Sequence, residues 1–213
     1  MKLEVTVAGE QLVLLPERAV YWPRAATLLV ADTHWGKAAT LRAAAIPIPG
    51  GTTSSDMQRL TGLVELTGAR RMVLLGDAIH AREGRAALKT VAEWRKGHAE
   101  LDILLVRGNH DRRSGDPSAE LNIRCADAPV LEPPFAFQHY PGEAKYGYAL
   151  AGHMHPAIRL TGRGKEKTTL ACFWFSECCG VLPAFGSLTG AALVGRAPGD
   201  RVYVIAGEEI IPV

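Results

Sequence analysis

Short apolar runs that stop abruptly at polar residues set the rhythm of the first half of the chain. Thr27 to Ala31 is apolar almost throughout and ends at Asp32. Met72 to Leu75 ends at Gly76-Asp77, and Ile103 to Val106 ends at Arg107-Gly108-Asn109-His110-Asp111. Runs of this length with no alternation read as strands buried on both faces, as in a parallel sheet covered by helices. Helical stretches lie between them. Residues 36–45 are alanine-rich, and Ile46-Pro47-Ile48-Pro49-Gly50-Gly51 ends them with an extended, proline-fixed loop. Thr53 or Ser54 can cap a helix reaching about Thr67, with Met57, Leu60, Leu63 and Val64 at helical spacing. Residues 81–97 predict another, with Ala87, Leu88, Val91 and Trp94 inward. Residues 3–21 alternate apolar and polar across Gly9-Glu10, the pattern of a hairpin at a sheet edge.

The pattern changes after Asp111. Short strands are expected at about 134–139, 148–152, 157–161, 168–175, 180–184 and 201–206. Turns at Pro141-Gly142, Gly162-Arg163-Gly164 and Pro198-Gly199-Asp200 separate them. Strand-helix-strand units followed by short strands predict an α/β fold of two packed sheets with helices outside. No linker or repeat divides the chain, so residues 1–213 read as one domain. In open α/β sheets ligands bind at the carboxyl ends of the strands, which is where the polar residues collect.

Composition narrows the picture only a little. Hydrophobic residues at 47% are enough for a substantial core, and a net charge of +2 neither requires nor excludes a polyanionic partner. The N-terminus lacks a signal-peptide apolar region, and no run approaches the ~20 apolar residues of a membrane helix. The expectation is a soluble, cytoplasmic protein with no membrane partner. Cys125, Cys172, Cys178 and Cys179 lack paired Cys-x-x-Cys spacing, and the three in or beside Ala171-Cys172-Phe173-Trp174-Phe175 read as buried, inert thiols.

Five polar sites carry candidate chemistry: Asp32 with His34, Asp77, Asn109-His110-Asp111, His139, and His153 with His155. Each follows an apolar run. His153 and His155, as alternate residues, would share a face of a strand. Four imidazoles, two carboxylates and an asparagine oxygen match the needs of two adjacent transition-metal ions. Such a pair can clamp a phosphate, activate a water and stabilise a leaving oxygen.

The order D-x-H, G-D, G-N-H-D, H, G-H-x-H from Asp32 to His155 resembles the calcineurin-like metallophosphoesterase superfamily. The resemblance implies a metallophosphatase-like four-layer α/β/β/α sandwich, two packed mixed β-sheets flanked by helices. It implies that Asp32, His34 and His155 hold one divalent ion and that Asn109, His139 and His153 hold a second, with Asp77 shared. It gives His110 a catalytic place facing the phosphate, oriented by Asp111, and not a ligand's. Asp32-Thr33-His34-Trp35-Gly36-Lys37, Arg42, Ile46-Pro47-Ile48-Pro49-Gly50 and Leu182-Pro183-Ala184-Phe185-Gly186 are further similar to the bacterial DNA-ligase-associated branch. That branch implies manganese as cofactor, with iron, zinc or nickel as alternatives, DNA as substrate, and DNA ligase and helicase of a repair pathway as partners.

The expected activity is therefore hydrolysis of phosphodiester bonds, with in-line attack on phosphorus by a hydroxide held between the ions. An imidazole at His110 would meet the departing alkoxide. His80, Arg112, Arg113, Trp35 and Lys37 are candidates for substrate binding: the cations as part of a positive rim with Arg42, Arg82 and Arg107, Trp35 by stacking on a base. The alternative activity is that of a phosphomonoesterase or nucleotide phosphatase. A non-catalytic scaffold is disfavoured by the complete ligand set.

Overall fold

In a computed structural model that describes residues 1–162, 164 and 166–213, the early alternation becomes three antiparallel strands. These are β1 (Leu3–Val7), β2 (Glu10–Leu15) and β3 (Ala19–Trp22); the expected hairpin thus gains a third strand. The three apolar runs follow as β4 (Thr27–Val30), β5 (Arg71–Leu74) and β6 (Asp102–Val106), with β7 (Ile123–Ala126) beside them. They form one seven-stranded sheet in chain order, antiparallel from β1 to β4 and parallel from β4 to β7.

The remaining strands are β8 (Val130–Glu132), β9 (Phe135–Phe137), β10 (Tyr148–Ala151), β11 (Pro156–Thr161), β12 (Lys167–Phe175), β13 (Cys179–Val181), β14 (Ala192–Leu193), β15 (Arg201–Ala206) and β16 (Glu209–Pro212). They build a second, mixed sheet in which β10 runs parallel to both β9 and β13. The α-helices are α1 (Lys37–Ala43), α2 (Thr52–Thr67), α3 (Leu88–Lys96) and α4 (Asn109–Ser114). Two packed mixed sheets with flanking helices are thus the architecture. None of the α-helices follows β7 among the described residues, because the chain from there on has a period of two and not of ~3.6.

Period two decides which residue faces which layer. Leu29, Val73 and Leu104 point between the sheets, against Phe135, Phe137, Leu150, Phe173 and Phe175. Their neighbours Leu28, Val30, Met72, Leu74, Ile103 and Leu105 point the other way, onto Met57, Leu60 and Leu63 of α2 and Leu88 and Val91 of α3. A parallel strand with a core on each face needs apolar side chains at every position, which is the run seen in the sequence.

Several local expectations are corrected. Helix α2 starts at Thr52 after Gly51 at φ 88°, with no side-chain cap, so neither Thr53 nor Ser54 caps it. The helix expected over 81–97 begins as a 3-10 segment, Arg82–Ala87, and turns α-helical only at Leu88. Close backbone contact between Gly84 and Gly36 accompanies that tighter winding: a Cβ on Gly36 would lie 2.2 Å from the Gly84 oxygen. Cys172 and Cys179 are buried, but Cys178 is exposed and Cys125 half-buried; all four are free thiols. The turn expected at Gly162-Arg163-Gly164 falls at Arg163 outside the described residues. Among the described residues no helix is long and apolar enough to cross a membrane.

The strand expected to run to 184 ends at Val181 because the chain then crosses between sheets. Leu182 N–H donates to the Ala151 oxygen (2.9 Å) in the second sheet. Ala184 then bridges Ala31 in parallel, and Phe185 N–H donates to the Ala31 oxygen (2.8 Å) in the first. The crossing lies at the carboxyl end of β4, where Asp32 begins.

Phe173 has no exposed surface and sits between the sheets. Phe173→Ala is expected to lower unfolding free energy by about 3–5 kcal/mol, read from the urea midpoint.

Candidate metal centre

The strand-end loops are built from backbone conformations that side-chain-bearing residues avoid. Asp32 (φ 52°), His34 (φ 44°), Asp77 (φ 51°), His153 (φ 70°) and His155 (φ 50°) all adopt positive φ. Each such residue costs on the order of 1 kcal/mol or more. They persist because neighbouring loops hold them. Asp32 N–H donates to the Gly76 oxygen (3.2 Å), His34 N–H to Asp77 (2.9 Å), Trp35 N–H to Ala78 (2.7 Å) and Gly186 N–H to Asp32 (3.1 Å). His153 and His155 lie in the loop between β10 and β11, not on one strand face as expected.

These turns bring all seven expected ligands together in two adjoining groups. Asp32, His34 and His155 form one, and Asp77, His139 and His153 the other; within each, ligand atoms lie within 4.8 Å of one another. Asn109 Oδ1 joins the second, 3.1 Å from His139 Nε2. His139 and His153 nitrogens are 3.0 Å apart. Asp32 Oδ2 accepts from His153 N–H (2.8 Å), so its carboxylate touches both groups.

Space for this convergence comes from glycine. A Cβ on Gly108 would lie 2.2 Å from Asp77 Oδ1, and one on Gly152 2.5 Å from Asp32 Oδ2. Either carboxylate would have to move.

The donor set fits divalent cations on two counts. Asp32 is fully buried, and its Oδ1 has no hydrogen-bond partner among the described residues. A bare buried carboxylate oxygen is costly unless a cation or donor meets it. His34 is also held in ligating form. Burial pushes His34 down to about 3, with Asp77 opposing and Lys37 assisting, so the ring is neutral at physiological pH. The buried His139 presents Nδ1 to the Leu75 oxygen (3.0 Å), which fixes the tautomer and aims Nε2 at Asp77 Oδ2 (3.4 Å). Burial works against charge on both partners of that contact. Their attraction prevails, lowering Asp77 and raising His139.

His110 stands beside both groups, its Nε2 3.9 Å from Asp77 Oδ2 and its ring 5.0 Å from that of His34. The expectation that Asp111 orients it is corrected. His110 Nδ1 meets the His80 carbonyl oxygen at 2.6 Å, and the His80 ring stacks on it at 4.8 Å. Asp111 is fully buried and accepts from Ile79 N–H (3.1 Å) and Gly108 N–H (2.9 Å). Its role is to tie the two loops that carry Asp77 and His110.

The remaining candidates divide. His80 is within the site, its Nδ1 3.2 Å from that of His34. Its imidazole is pushed down to about 4 by burial and by Lys37. Lys37 lies half-buried at the start of α1, near both rings. Trp35, expected to stack on a base, is instead 1% exposed and part of the helix-side core. Arg112 is paired with Asp127 (2.8 Å) and Arg107 with Asp116 (2.7 Å), so those two members of the positive rim are neutralised locally. Arg113 is exposed at the end of α4. Sequence reasoning missed Tyr140, an exposed aromatic 4.5 Å from the His153 ring. Its signal was adjacency to His139, the same signal that pointed to Trp35.

Two mixed sheets with carboxylates and imidazoles gathered at their strand ends define a phosphoesterase, and the chain belongs to the calcineurin-like metallophosphoesterase superfamily. It is similar to the crystal structure of Pseudomonas putida nuclease MPE, at 38% identity over 100% of both chains with a TM-score of 0.88. A phosphoesterase from E. coli, Yfce, is 16% identical over 88% of this chain and 97% of that one, with a TM-score of 0.43. No protein-family model matches the chain, and no curated protein does.

Asp111→Asn replaces one acceptor with an N–H donor facing a backbone N–H. Destabilisation of about 1–3 kcal/mol is expected in denaturant titration. Gly152→Ala is expected to weaken divalent-cation binding about tenfold in calorimetry, by displacing Asp32, while circular dichroism stays native.

Proposed function

We propose that the protein is a metal-dependent phosphodiesterase that cuts DNA. The observation that carries this reading is the convergence of both candidate ligand groups beside a further imidazole, His110. The nuclease to which the chain is similar along its whole length supports the nucleic-acid substrate. Divalent ions held by Asp32, His34 and His155 and by Asn109, His139 and His153, with Asp77 shared, would polarise phosphoryl oxygens and lower the pKa of water. Manganese suits this mixture of nitrogen and oxygen donors, with iron, zinc or nickel as alternatives.

The chain's own groups do the rest. Because His110 Nδ1 faces a carbonyl oxygen, it carries the hydrogen, and Nε2 is the atom left to meet the substrate. Protonated, Nε2–H donates to a phosphoryl oxygen or to the leaving oxygen. Lys37, near His34 and His80, adds positive charge where the phosphate's negative charge must settle. Arg113 offers a further contact to the strand. The narrower motif resemblance supports a cytoplasmic setting in a repair pathway beside DNA ligase and helicase, as part of the same proposal.

With manganese added, bis-p-nitrophenyl phosphate should be hydrolysed in preference to p-nitrophenyl phosphate, and single-stranded or nicked oligonucleotides should be cut. Preference for the monoester with no cutting of DNA would falsify the proposal. His110→Ala should slow turnover about 10²–10⁴-fold while manganese content stays near that of the parent protein. Asp77→Ala should lose both ions by elemental analysis; full occupancy would show that Asp77 is not shared.

A further inference from the structure

The structure assigns Tyr140 the role of a stacking platform for the base next to the phosphate held at the Asp77–His139–His153 group. This rests on the nuclease reading above. Tyr140 is 53% exposed, yet its ring centroid lies 4.5 Å from that of His153 and 5.0 Å from that of His139, at interplanar angles of 62° and 69°. A tyrosine serving only to pack would bury its ring. This one meets two ligand imidazoles at an edge-to-face angle and leaves most of its surface to solvent.

Its position is preorganised. Gln138 Nε2 donates to the Tyr140 oxygen (2.9 Å) and the Gly142 oxygen (3.0 Å), closing the turn. Gly152 N–H donates to the His139 oxygen (3.1 Å), fastening the turn to the loop that carries His153. A nucleotide whose phosphate reaches this group has its base one sugar away, within reach of the Tyr140 ring. Every base has a π-face, so such a contact tolerates sequence but requires the base to be free of its duplex partner.

The same loop continues the pattern. Tyr146 is 61% exposed and Lys145 Nζ lies 5.2 Å from its ring centroid. Exposed aromatics interleaved with a cation are the surface that single strands follow. Trp35, Arg107 and Arg112, three of the residues expected from the sequence to contact the strand, are buried or paired.

The test is manganese-dependent cleavage of a single-stranded oligonucleotide carrying one abasic site, mapped at nucleotide resolution. The parent protein, Tyr140→Phe and Tyr140→Ala are compared, with manganese content measured for each. In the parent and Tyr140→Phe proteins the missing base should suppress cutting at the adjoining phosphate about tenfold. Tyr140→Ala should be slower by a similar factor on intact DNA, with no further loss at the abasic site and unchanged manganese. The same abasic penalty in Tyr140→Ala, or none in the parent, overturns the stacking role and leaves the nuclease reading standing. Loss of manganese from Tyr140→Ala also overturns it, by showing that the ring merely props the ligand histidines. Failure of the parent to cut any oligonucleotide overturns the nuclease reading, and this inference with it.

Discussion

Everything at the strand ends depends on how closely side chains can lie against backbone. Asp77 rests on Gly108 and Asp32 on Gly152, each in the volume a methyl group would fill. That closeness lets two carboxylates be buried side by side with imidazoles from loops far apart in sequence. It also creates the electrostatic problem the site must solve. Asp32 is wholly enclosed with one oxygen unmatched, and Asp77 draws positive charge onto His139. Left-handed backbone at five of the seven candidate ligands shows that the fold accepts strain to hold this geometry. The surrounding sheets over-determine it, with β4, β5 and β6 packed on both faces.

Much of this was legible in the chain because the physics was local. A doubly covered parallel strand must be apolar at every position, so β4, β5 and β6 announced themselves, and each ended at a polar residue. The ligand set was legible for the same reason: a chemical pattern repeated at successive strand ends. What was not legible depended on contacts between distant segments. The crossing of Leu182 to Phe185 was indistinguishable from continued strand, since both are extended and apolar. The tight winding at Arg82–Ala87 accompanies Gly84 meeting Gly36, a contact absent from any local pattern. Asp111 beside His110 suggested an orienting pair, yet adjacent residues on a helix diverge, and a carbonyl from another loop orients the ring.

The aromatics make the point most sharply. Trp35 and Tyr140 each follow a ligand histidine directly, and the sequence offers no reason to treat them differently. Trp35 lies between β4 and α1, where it pairs in parallel with Ile79 and turns into the helix-side core. Tyr140 lies in a loop of the second sheet and stays at the surface. Charge divides likewise. Arg107 and Arg112 sit beside the catalytic turn, but Asp116 and Asp127 return to them from further along the chain.

The crossing that joins Ala184 to Ala31 ties the segment after β13 in the second sheet to the end of β4 in the first. Contacts of such long sequence separation are the slowest to form, because the intervening loop must close before they reward it. Neither half of the candidate ligand set is complete before that closure. The first sheet alone would carry Asp32, His34, Asp77 and Asn109 but not His139, His153 or His155. Tight cation capture therefore needs both sheets in place.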